Sequence, residues 1–419
     1  MSRNVPPSAP SRRFRTAVVL GTRPEAVKLA PVVRAMRGSP DLEPVVVTTG
    51  QHRELVAGVL PQLGVEADVA LDVMRPRQPL SSLTARLCEG LGDVLRDGAF
   101  DAVVVQGDTT TALCGALCGF YADVPVAHVE AGLRSGSRGD PFPEEVNRRV
   151  ITHLSTWHFA PTLPAGVNLL REGVREQDVE VTGNTVVDNL LWVVRHGLGT
   201  SAFTPRPAGA SGPRRVLLTL HRRENQGEVM TGLARAVVRL VELRDVEVVL
   251  PVHPSPAVRE SLLPVLSGHP GVVVTEPLDY LDFTATLAQA DLVLTDSGGV
   301  QEEAPSLDVP VLVLRRTTER AEGVRAGTAA LVGTDPEVVL QRALDLLDDP
   351  GAHARMAAAD NPFGDGLASE RVVRRLAADL ARRHAAPVPV PLRTASTLPA
   401  APPTVVAGPA LVGGFQAAR

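Results

Sequence analysis

The sequence predicts an α/β protein made of two Rossmann-like domains, each a doubly wound parallel sheet, that face one another across a central cleft. Two observations lead to this prediction. Short runs rich in Val and Leu recur along the chain, and most of them lead through a polar or Gly-rich turn into a helical pattern. Continuous apolar strands that alternate with helices are typical of parallel sheets buried on both faces. The runs number roughly ten, which is too many for one doubly wound sheet of ordinary size.

A segment rich in Gly, Pro, Ser and Ala divides the strands into two series near the middle of the chain. We predict a first domain over 15–196, a linker over 197–213 and a second domain over 214–384, with the last helix packing back on the first domain. Residues 1–14 and the Pro/Ala-rich segment 385–419 show no hydrophobic period, so we predict that both are disordered tails.

The composition is that of a globular protein. Of the 419 residues, 44% are hydrophobic and 21% are charged, and the formal net charge is -5. This charge gives no reason to expect nucleic acid or an anionic membrane as a partner. No apolar run approaches the ~18 residues that a membrane span needs. The basic N-terminus lacks the apolar segment of a secretory signal, so we expect a cytoplasmic protein.

The three cysteines predict neither a disulfide framework nor a metal site. Cys88, Cys114 and Cys118 form no Cys-x-x-Cys pair, which suits a reducing compartment. Cys114 and Cys118 lie four residues apart on a predicted helix, but no Cys or His partner motif accompanies them. We therefore expect these thiols to pack in the interior and no metal to be bound.

Polar residues follow the predicted strands at their carboxyl ends, where open parallel sheets bind ligands. These residues are Arg23, Gln51, His52, Asp108, Glu130, His221, His253 and the turn Ser297-Gly298-Gly299. Two sheets that face one another would bring them to one cleft. The sequence therefore predicts an active site between the two domains.

The first strand leads into "GTRPEAVKLAP", which carries Arg23 in the loop and Lys28 in the helix. Lys28 is the one lysine in a chain with 41 arginines, which indicates a site that needs a compact ammonium. Two cations near a helix start oppose the helix dipole unless an anion is present, and a nucleotide phosphate would supply one. The alternatives are a salt-bridged loop and a lysine that remained by chance.

Three carboxylates are candidates for acid–base chemistry. Asp108 and Glu130 each end an apolar run, which delivers them to the edge of the sheet. Glu144 follows Pro143, and the favourable position of an acid near a helix start also explains it without any function. His221 in "TLHRREN" suits proton transfer or a phosphate-bearing leaving group, with a structural histidine as the alternative.

The motif "ADLVLTDSGGVQEEAPS" reads as a strand, a tight turn and a helix. We expect Ser297 to cap the helix, and Gly298 and Gly299 to let backbone amides approach an anion such as phosphate. Glu302 or Glu303 could then accept hydrogen bonds from ribose hydroxyls. In "RRTTERAEGVRAG", Arg320 could reach phosphate, or could lie in a solvated loop.

In their order along the chain, these motifs resemble the non-hydrolysing UDP-N-acetylglucosamine 2-epimerases. The resemblance covers about residues 15–380 and runs through "GTRPEAVKLAPV", "TGQHRE", "QGDTTT", "HVEAGLRSG", "PEEVNRR", "TGNTVVDNL", "HRREN", "PVHP", "TDSGGVQEEAPSL" and "TTERAEGV". It implies a GT-B-like fold, a homodimer, and interconversion of UDP-GlcNAc and UDP-ManNAc without NAD or metal. It further implies elimination of UDP to a 2-acetamidoglucal intermediate, followed by re-addition.

The resemblance also implies roles for individual residues. Those matching the family's catalytic set are Asp108, Glu130, Glu144 and His221. Those matching its substrate and UDP contacts are Arg23, Lys28, Phe283, Ser297, Gly298, Gly299, Glu303 and Arg320, with Phe283 where the family packs the uracil. Those resembling a pocket for a second, activating UDP-GlcNAc are Gln51, His52, Arg75 and His253. Departures from the family wording are Ser255, Leu278, Asp308 and Ala321, and they bear on affinity and regulation.

Four other functions are weighed. A hydrolysing epimerase would release ManNAc and UDP, but such enzymes usually carry a fused kinase or a different acid set. A related epimerase could act on a modified UDP-sugar. A GT-B glycosyltransferase would capture UDP similarly but would not need Asp108, Glu130 and Glu144 together. A non-catalytic sugar-nucleotide sensor would be expected to lose a carboxylate, and none is lost.

Overall fold

The structure is a computed structural model that describes residues 12–206 and 211–385. The predicted tails, apart from residues 12–14 and 385, and residues 207–210 of the predicted linker lie outside the described residues. Two parallel sheets form the framework, of seven and six strands. This arrangement confirms the prediction of two parallel-sheet α/β domains.

The N-terminal domain is built on the seven-stranded sheet, in the order β3-β2-β1-β4-β5-β6-β7. Its strands are β1 (Phe14–Leu20), β2 (Leu42–Thr48), β3 (Val69–Ala70), β4 (Ala102–Gln106), β5 (Val126–Val129), β6 (Trp157–Ala160) and β7 (Val179–Val181). Its helices are α1 (Arg23–Gly38), α2 (Arg53–Gln62), α3 (Leu80–Asp97), α4 (Thr110–Tyr121), α5 (Glu144–Leu154), α6 (Leu163–Arg171) and α7 (Thr185–Arg195).

The C-terminal domain is built on the six-stranded sheet, in the order β10-β9-β8-β11-β12-β13. Its strands are β8 (Arg214–Thr219), β9 (Val246–Pro251), β10 (Val272–Thr275), β11 (Leu292–Thr295), β12 (Val311–Val313) and β13 (Ala329–Leu331). The helices that follow are α8 (Glu228–Leu243), α9 (Pro256–Leu266), α10 (Tyr280–Leu287), α11 (Gly298–Glu303), α12 (Ala321–Ala326), α13 (Pro336–Asp348), α14 (Pro350–Ala357) and α15 (Ala368–Ala385).

Both sheets reverse their winding at one point, between β1 and β4 in the first and between β8 and β11 in the second. Loops on the two sides of such a point diverge, which leaves a crevice beyond the carboxyl ends of the strands. Asp108 lies in the loop after β4, and His221 and Ser297 lie in the loops after β8 and β11. Arg23 is the first residue of α1 rather than, as predicted, a residue of the preceding loop, because Thr22 caps the helix. The topology therefore places these four predicted site residues at the two crevices.

Three strands escaped the prediction, namely β3, β6 and β13. β3 and β13 have only two and three residues, too few to show a hydrophobic run. β6 reads Trp-His-Phe-Ala, and its His158 is buried, with its ring nitrogens near the Thr152 and Asp178 carbonyls. Pairing with neighbouring strands of the sheet makes these segments strands.

Helix α15 returns to the N-terminal domain. Its residues Val372, Leu376 and Leu380 are buried in the same hydrophobic core as Leu29 of α1. Asp188 of α7 accepts hydrogen bonds from the backbone N–H groups at the start of α15, at 3.2 Å from Ala368 and 2.6 Å from Ser369. The chain therefore crosses between the domains twice, once before β8 and once before α15. The domain boundaries proposed above stay predictions; β1 begins at Phe14 and α15 ends at Ala385.

Candidate active site

A cleft with a cavity of about 660 Å³ lies between the two domains. Four of the predicted site residues line it, namely Lys28, Asp108, Glu130 and Arg320. Glu302, which the prediction offered with Glu303 as a ribose contact, also lines it, and the lining residues that the prediction did not select include Arg148, Asn184 and Arg222. The cleft therefore gathers acidic and basic side chains from both domains.

Glu130 follows β5 directly and is buried, with only 6% of its side chain exposed. Its φ of +63° is a left-handed conformation that residues other than Gly rarely adopt. The carboxylate accepts hydrogen bonds from Gln106 and from Asn184 (3.2 Å), and it pairs with Lys28, whose Nζ lies 2.5 Å from Oε1. Strained backbone of this kind persists where surrounding contacts hold it, often at functional sites. Three donors therefore fix one orientation of Glu130.

The N-terminal cap of helix α1 fixes the residue at which the helix begins, and so fixes the position of Lys28 beside Glu130. Thr22 is its N-cap and Glu25 its third residue, and the two form a capping box. Burial alone would lower the pKa of Lys28, but the charges of Glu130 and Glu302 raise it above the ordinary value. Lys28 is therefore a charged partner of the cleft carboxylates, a role that suits a compact ammonium.

Asp108 follows β4 on the opposite side of the crevice from β1. Its Oδ2 pairs with Arg148 at 2.5 Å, and its backbone carbonyl accepts a hydrogen bond of 2.8 Å from Asn147. Burial raises the pKa of Asp108, Arg148 opposes this shift, and the nearby Glu130 adds to it. Asp108 is thus a carboxyl group that holds a proton more readily than an exposed aspartate.

Two adjacent glutamates at the start of α5 behave differently. Glu145 is fully buried and accepts hydrogen bonds from the Ser135 backbone (2.9 Å) and from Arg149 (2.9 and 2.8 Å). Glu144 is half-buried and is not among the residues that line the cleft. Pro143 occupies the N-cap position rather than the first turn. Glu145 therefore has a structural role, and a catalytic role for Glu144 stays a prediction.

His221 is held by Asp296, a residue that the prediction did not select. The Asp296 carboxylate lies 3.2 Å from Nδ1 of His221 and accepts hydrogen bonds from the backbone N–H groups of His221 (3.0 Å) and Arg222 (2.9 Å). Burial would raise the pKa of Asp296, but hydrogen bonds from His221, the Arg222 backbone and Asn225 lower it. A buried carboxylate in this position fixes the orientation of a histidine ring.

The turn before α11 agrees only in part with the prediction. Ser297 occupies the N-cap position, but its side chain makes no capping hydrogen bond, contrary to expectation. A Cβ atom on Gly298 would lie 3.3 Å from the guanidinium carbon of Arg320 and 3.6 Å from Nη2 of Arg222. Gly298 thus leaves room for two guanidinium groups at the start of α11. These groups form a cationic wall of the cleft.

Glu302 and Glu303 at the end of α11 face different surroundings. Glu302 lines the cleft and accepts hydrogen bonds from Arg320 Nε (2.7 Å) and Asn184 Nδ2 (2.8 Å). Glu303 is buried, and burial together with the charge of Glu302 raises its pKa to about 8, against the opposing charges of Lys28 and Arg23. Arg23 therefore lies close enough to the second domain to influence this carboxyl group.

The chain shares this architecture with enzymes of one family. A family model described as UDP-N-acetylglucosamine 2-epimerase matches residues 34–377. The UDP-N-acetylglucosamine 2-epimerase of Bacillus subtilis (strain 168) is 44% identical over 366 residues, which make up 87% of this chain and 95% of that protein. The protein belongs to the UDP-N-acetylglucosamine 2-epimerase family. That of Escherichia coli (strain K12) is 43% identical over 370 residues, or 87% of this chain and 98% of that one.

Solved structures of the 2-epimerase family agree with this assignment. The UDP-GlcNAc 2-epimerase of Neisseria meningitidis, bound to UDP-GlcNAc, is 40% identical with a TM-score of 0.77 and covers 87% of this chain and 99% of its own. That of Methanocaldococcus jannaschii, in complex with UDP-GlcNAc and UDP, is 32% identical with a TM-score of 0.68 and the same coverage. The resemblance inferred from the ordered motifs and the GT-B-like fold class are both confirmed.

The residues predicted for an activating pocket of this 2-epimerase-family protein do not line the cleft. Gln51 accepts a hydrogen bond of 2.8 Å from Thr111, and Arg75 pairs with Asp72 at 3.3 Å. His52 is the N-cap residue of α2 but forms no side-chain cap, and His253 stacks on His221 with 5.8 Å between ring centroids. Of this set, His253 lies next to the Asp296-bound ring of His221. A regulatory role stays a prediction.

Phe283 of α10 is partly buried against the hydrophobic core of the C-terminal domain, beside Phe203 and Leu287. It does not line the cleft, so its contact with a base stays a prediction.

Sequence reasoning overlooked several polar residues of the 2-epimerase site, and the missed signal differs for each. Asp296 stands directly after an apolar strand, like Asp108, and could have been selected on the same ground. Arg148 and Asn184 lie near or within the helices that follow β5 and β7, and no spacing rule connects them with their partners. Their roles emerge only when the chain is folded.

Over residues 12–206 and 211–385, no helix is long and apolar enough to cross a membrane. In the same ranges, no group of three or more His, Cys, Asp or Glu side chains is arranged to hold a metal ion.

Proposed function

We propose that the protein catalyses the reversible C2 epimerisation of UDP-GlcNAc to UDP-ManNAc, by elimination of UDP to a 2-acetamidoglucal intermediate and re-addition. Family membership supports the activity, and a relative of known structure is bound to UDP-GlcNAc. The observation that carries the mechanism is the convergence of Asp108 and Glu130 with Lys28 and Arg320 in one cleft. Such a set can transfer a proton and stabilise a departing diphosphate.

The elimination begins with removal of the proton on C2. The electron pair of that C–H bond forms the C1–C2 double bond, and the C1–O bond breaks with its electron pair leaving on UDP. We assign Glu130 as the base, because three donors and a left-handed backbone fix its carboxylate in the cleft. In the return step, a UDP oxygen bonds to C1 while a proton reaches C2 on the opposite face. Asp108, whose pKa is raised, is our candidate for that acid.

The leaving diphosphate gains negative charge as the C1–O bond breaks. We assign Arg23, Lys28, His221 and Arg320 to its stabilisation, and we add Arg222, because its guanidinium lies beside that of Arg320 at Gly298. Cations that are already in place when the charge develops lower the barrier without further reorganisation. Because elimination and re-addition involve no net oxidation or reduction, the proposed reaction needs no NAD.

The remaining assignments concern recognition and regulation. We propose that Ser297, Gly298, Gly299 and Glu303 bind the nucleotide and that Phe283 contacts the uracil. We retain Glu144 as a third catalytic carboxylate. We also propose that Gln51, His52, Arg75 and His253 take a second UDP-GlcNAc as activator, and that the enzyme is a homodimer.

Proton NMR of the purified protein with UDP-GlcNAc in D₂O, without added cofactor, tests the reaction. We expect UDP-ManNAc to accumulate with deuterium at C2, because the abstracted proton exchanges with solvent. Free ManNAc and UDP would instead indicate a hydrolysing enzyme. A lack of any conversion would favour a modified UDP-sugar or a transferase.

The variant Glu130→Gln tests the assigned base. We expect deuterium incorporation to fall by a factor of about 10² to 10⁴, as is typical when a general base is removed. Glu242→Gln, at an exposed glutamate of α8, is the control and should keep the wild-type rate. A Glu130→Gln rate within threefold of the control would remove Glu130 from the mechanism.

A further inference from the structure

Asn184 is the one residue whose side-chain amide contacts a carboxylate of each domain, among the hydrogen bonds of the described residues. It follows β7 and precedes α7 in the N-terminal domain. Its Nδ2 donates to Glu130 Oε1 at 3.2 Å and to Glu302 Oε2 at 2.8 Å. Glu130 belongs to the N-terminal domain, and Glu302 lies on α11 of the C-terminal domain. Both hydrogens of one amide group therefore serve two acids from opposite sides of the cleft.

Two other polar groups of Asn184, its side-chain oxygen and its backbone N–H, also form hydrogen bonds. Its Oδ1 accepts a hydrogen bond of 3.1 Å from the Val186 backbone and so caps α7. Its backbone N–H donates to the Phe363 carbonyl at 2.6 Å, on the segment that crosses back from the second domain. The residue is only 2% exposed. These contacts fix the position of the amide, and buried polar groups that are fully paired specify one arrangement.

The two carboxylates are otherwise paired with separate cations. Glu130 pairs with Lys28 at 2.5 Å, and Glu302 pairs with Arg320 at 2.7 Å. Two negative groups near one nitrogen repel each other, and a hydrogen-bond donor between them offsets part of this repulsion. The neutral amide of Asn184 supplies that donor without adding charge to the cleft.

We propose that Asn184 is a positioning residue that holds Glu130 at a fixed separation from Glu302 across the cleft. This inference rests on the proposed function for its consequence in catalysis: Glu130 is aligned for proton transfer only while the amide donates to both acids. Nothing in the role requires Asn184 to touch the substrate.

The substitution Asn184→Asp separates this role from helix capping. Aspartate caps a helix as well as asparagine does, but its carboxyl group offers at most one hydrogen, and only when it is protonated, whereas the amide offers two. Hydrogen bonds to an ionised carboxylate lower its pKa, so loss of the donor raises the pH at which the site loses its charge. We expect kcat at pH 7 to fall at least tenfold, KM to change less than threefold, and the acidic limb of the kcat profile to move up by about one pH unit.

Two further variants make the comparison sharp. Asn184→Ser keeps a capping oxygen and one hydroxyl donor, so it should recover part of the lost kcat. Asp335→Ala removes the cap of α13, where Asp335 accepts from Glu337 and Val338 at exposed positions. This control should keep the wild-type kcat and pH profile. An Asn184→Asp enzyme with kcat within twofold of wild type and an unshifted acidic limb would overturn the proposal.

A measurement without substrate keeps the inference independent of the proposed reaction. We expect small-angle scattering at pH 8 to show a larger radius of gyration for Asn184→Asp than for wild type or Asp335→Ala, because the carboxyl group cannot donate to both acids and the hydrogen-bonded connection across the cleft is lost. Equal radii would contradict the bridging role even if the wild-type protein did not convert UDP-GlcNAc. Failure of the wild type to epimerise would contradict the proposed function alone.

Discussion

At the scale of single residues, the burial of a carboxyl group changes its pKa more than nearby exposed charges do. Glu303 illustrates this, because its carboxyl group is buried beside Glu302 and its pKa is raised to about 8. Removing water from a carboxylate disfavours its charged form, and a neighbouring acid adds to the effect. Glu303 therefore binds a proton in the folded protein at pH values where an unfolded chain has lost it.

The pH dependence of the free energy of unfolding should show that Glu303 binds a proton in the folded protein. Since the folded pKa is raised, the contribution of Glu303 is fully present below its unfolded value and is lost as the pH rises through about 8. We expect Glu303→Gln to gain stability relative to wild type between about pH 5 and 8, with a slope of at most about 1.4 kcal/mol per pH unit. Urea unfolding at several pH values measures this difference in the free energy of unfolding.

Glu242→Gln serves as the control for this experiment, because Glu242 is exposed and should alter stability equally at every pH. A Glu303→Gln curve parallel to that of wild type would show that Glu303 is ionised in the folded protein.

The sequence predicts which residues stand at strand ends, but not which of them become partners. Lys28 and Glu130 lie 102 positions apart, and each was selected for its own place after or near a strand. Their ion pair follows from the juxtaposition of β1, β4 and β5 in one sheet. The motif predicts phosphate binding by Lys28, with a salt-bridged loop as the alternative, because sequence spacing carries no information on which anion is nearest. The same limit concealed Asn184, which connects two residues from different domains.

At the scale of elements, the helix that closes the fold depends on a cap from a distant helix. Asp188 of α7 accepts two backbone N–H groups at the start of α15 and is buried there. Strands with several Val or Leu residues were predictable because their pattern is local. The cap was not, because it joins residues 180 or more positions apart. The short strands β3, β6 and β13 escaped for the same reason, since pairing defines them.

Removal of this cap should loosen α15. We expect Asp188→Ala to lower the free energy of unfolding by about 2 kcal/mol, since loss of a helix N-cap costs 0.5–2 kcal/mol and these donors are buried. Hydrogen exchange should speed up in α15 more than elsewhere. Asp335→Ala removes an exposed aspartate that likewise accepts two backbone N–H groups at a helix start, and it should cost less. Equal losses of unfolding free energy in the two variants would show that burial of the Asp188 cap does not increase its contribution to stability.

At the scale of the whole molecule, the second crossing between the domains runs through a close backbone contact. Gly364 has a φ of +145°, and a Cβ atom on it would lie 3.3 Å from the Asn184 backbone nitrogen and 3.5 Å from Gly183 Cα. A side chain there would both strain the backbone and press on the residue that connects the two carboxylates. Through its contact with Asn184, the crossing segment therefore affects the geometry of the cleft.

Gly364→Ala should consequently affect both stability and catalysis. We expect a loss of about 1–3 kcal/mol in the free energy of unfolding and at least a fivefold fall in kcat. Gly333→Ala is the matched control, because Gly333 also has a positive φ of +77° but open space around it. It should lose stability and keep kcat. If both variants kept kcat, the crossing would have no influence on the site.

The two crossings also define how the domains can move. The two crossings join the domains at two points, and these points define a line. Two rigid domains joined in this way keep one low-energy motion, a rotation about that line. One crossing lies between Arg195 and Arg214 and the other between Ala357 and Ala368. In the proposed reaction, a nucleotide sugar would then enter the cleft from the side away from this axis. We expect the released product to leave by that same side.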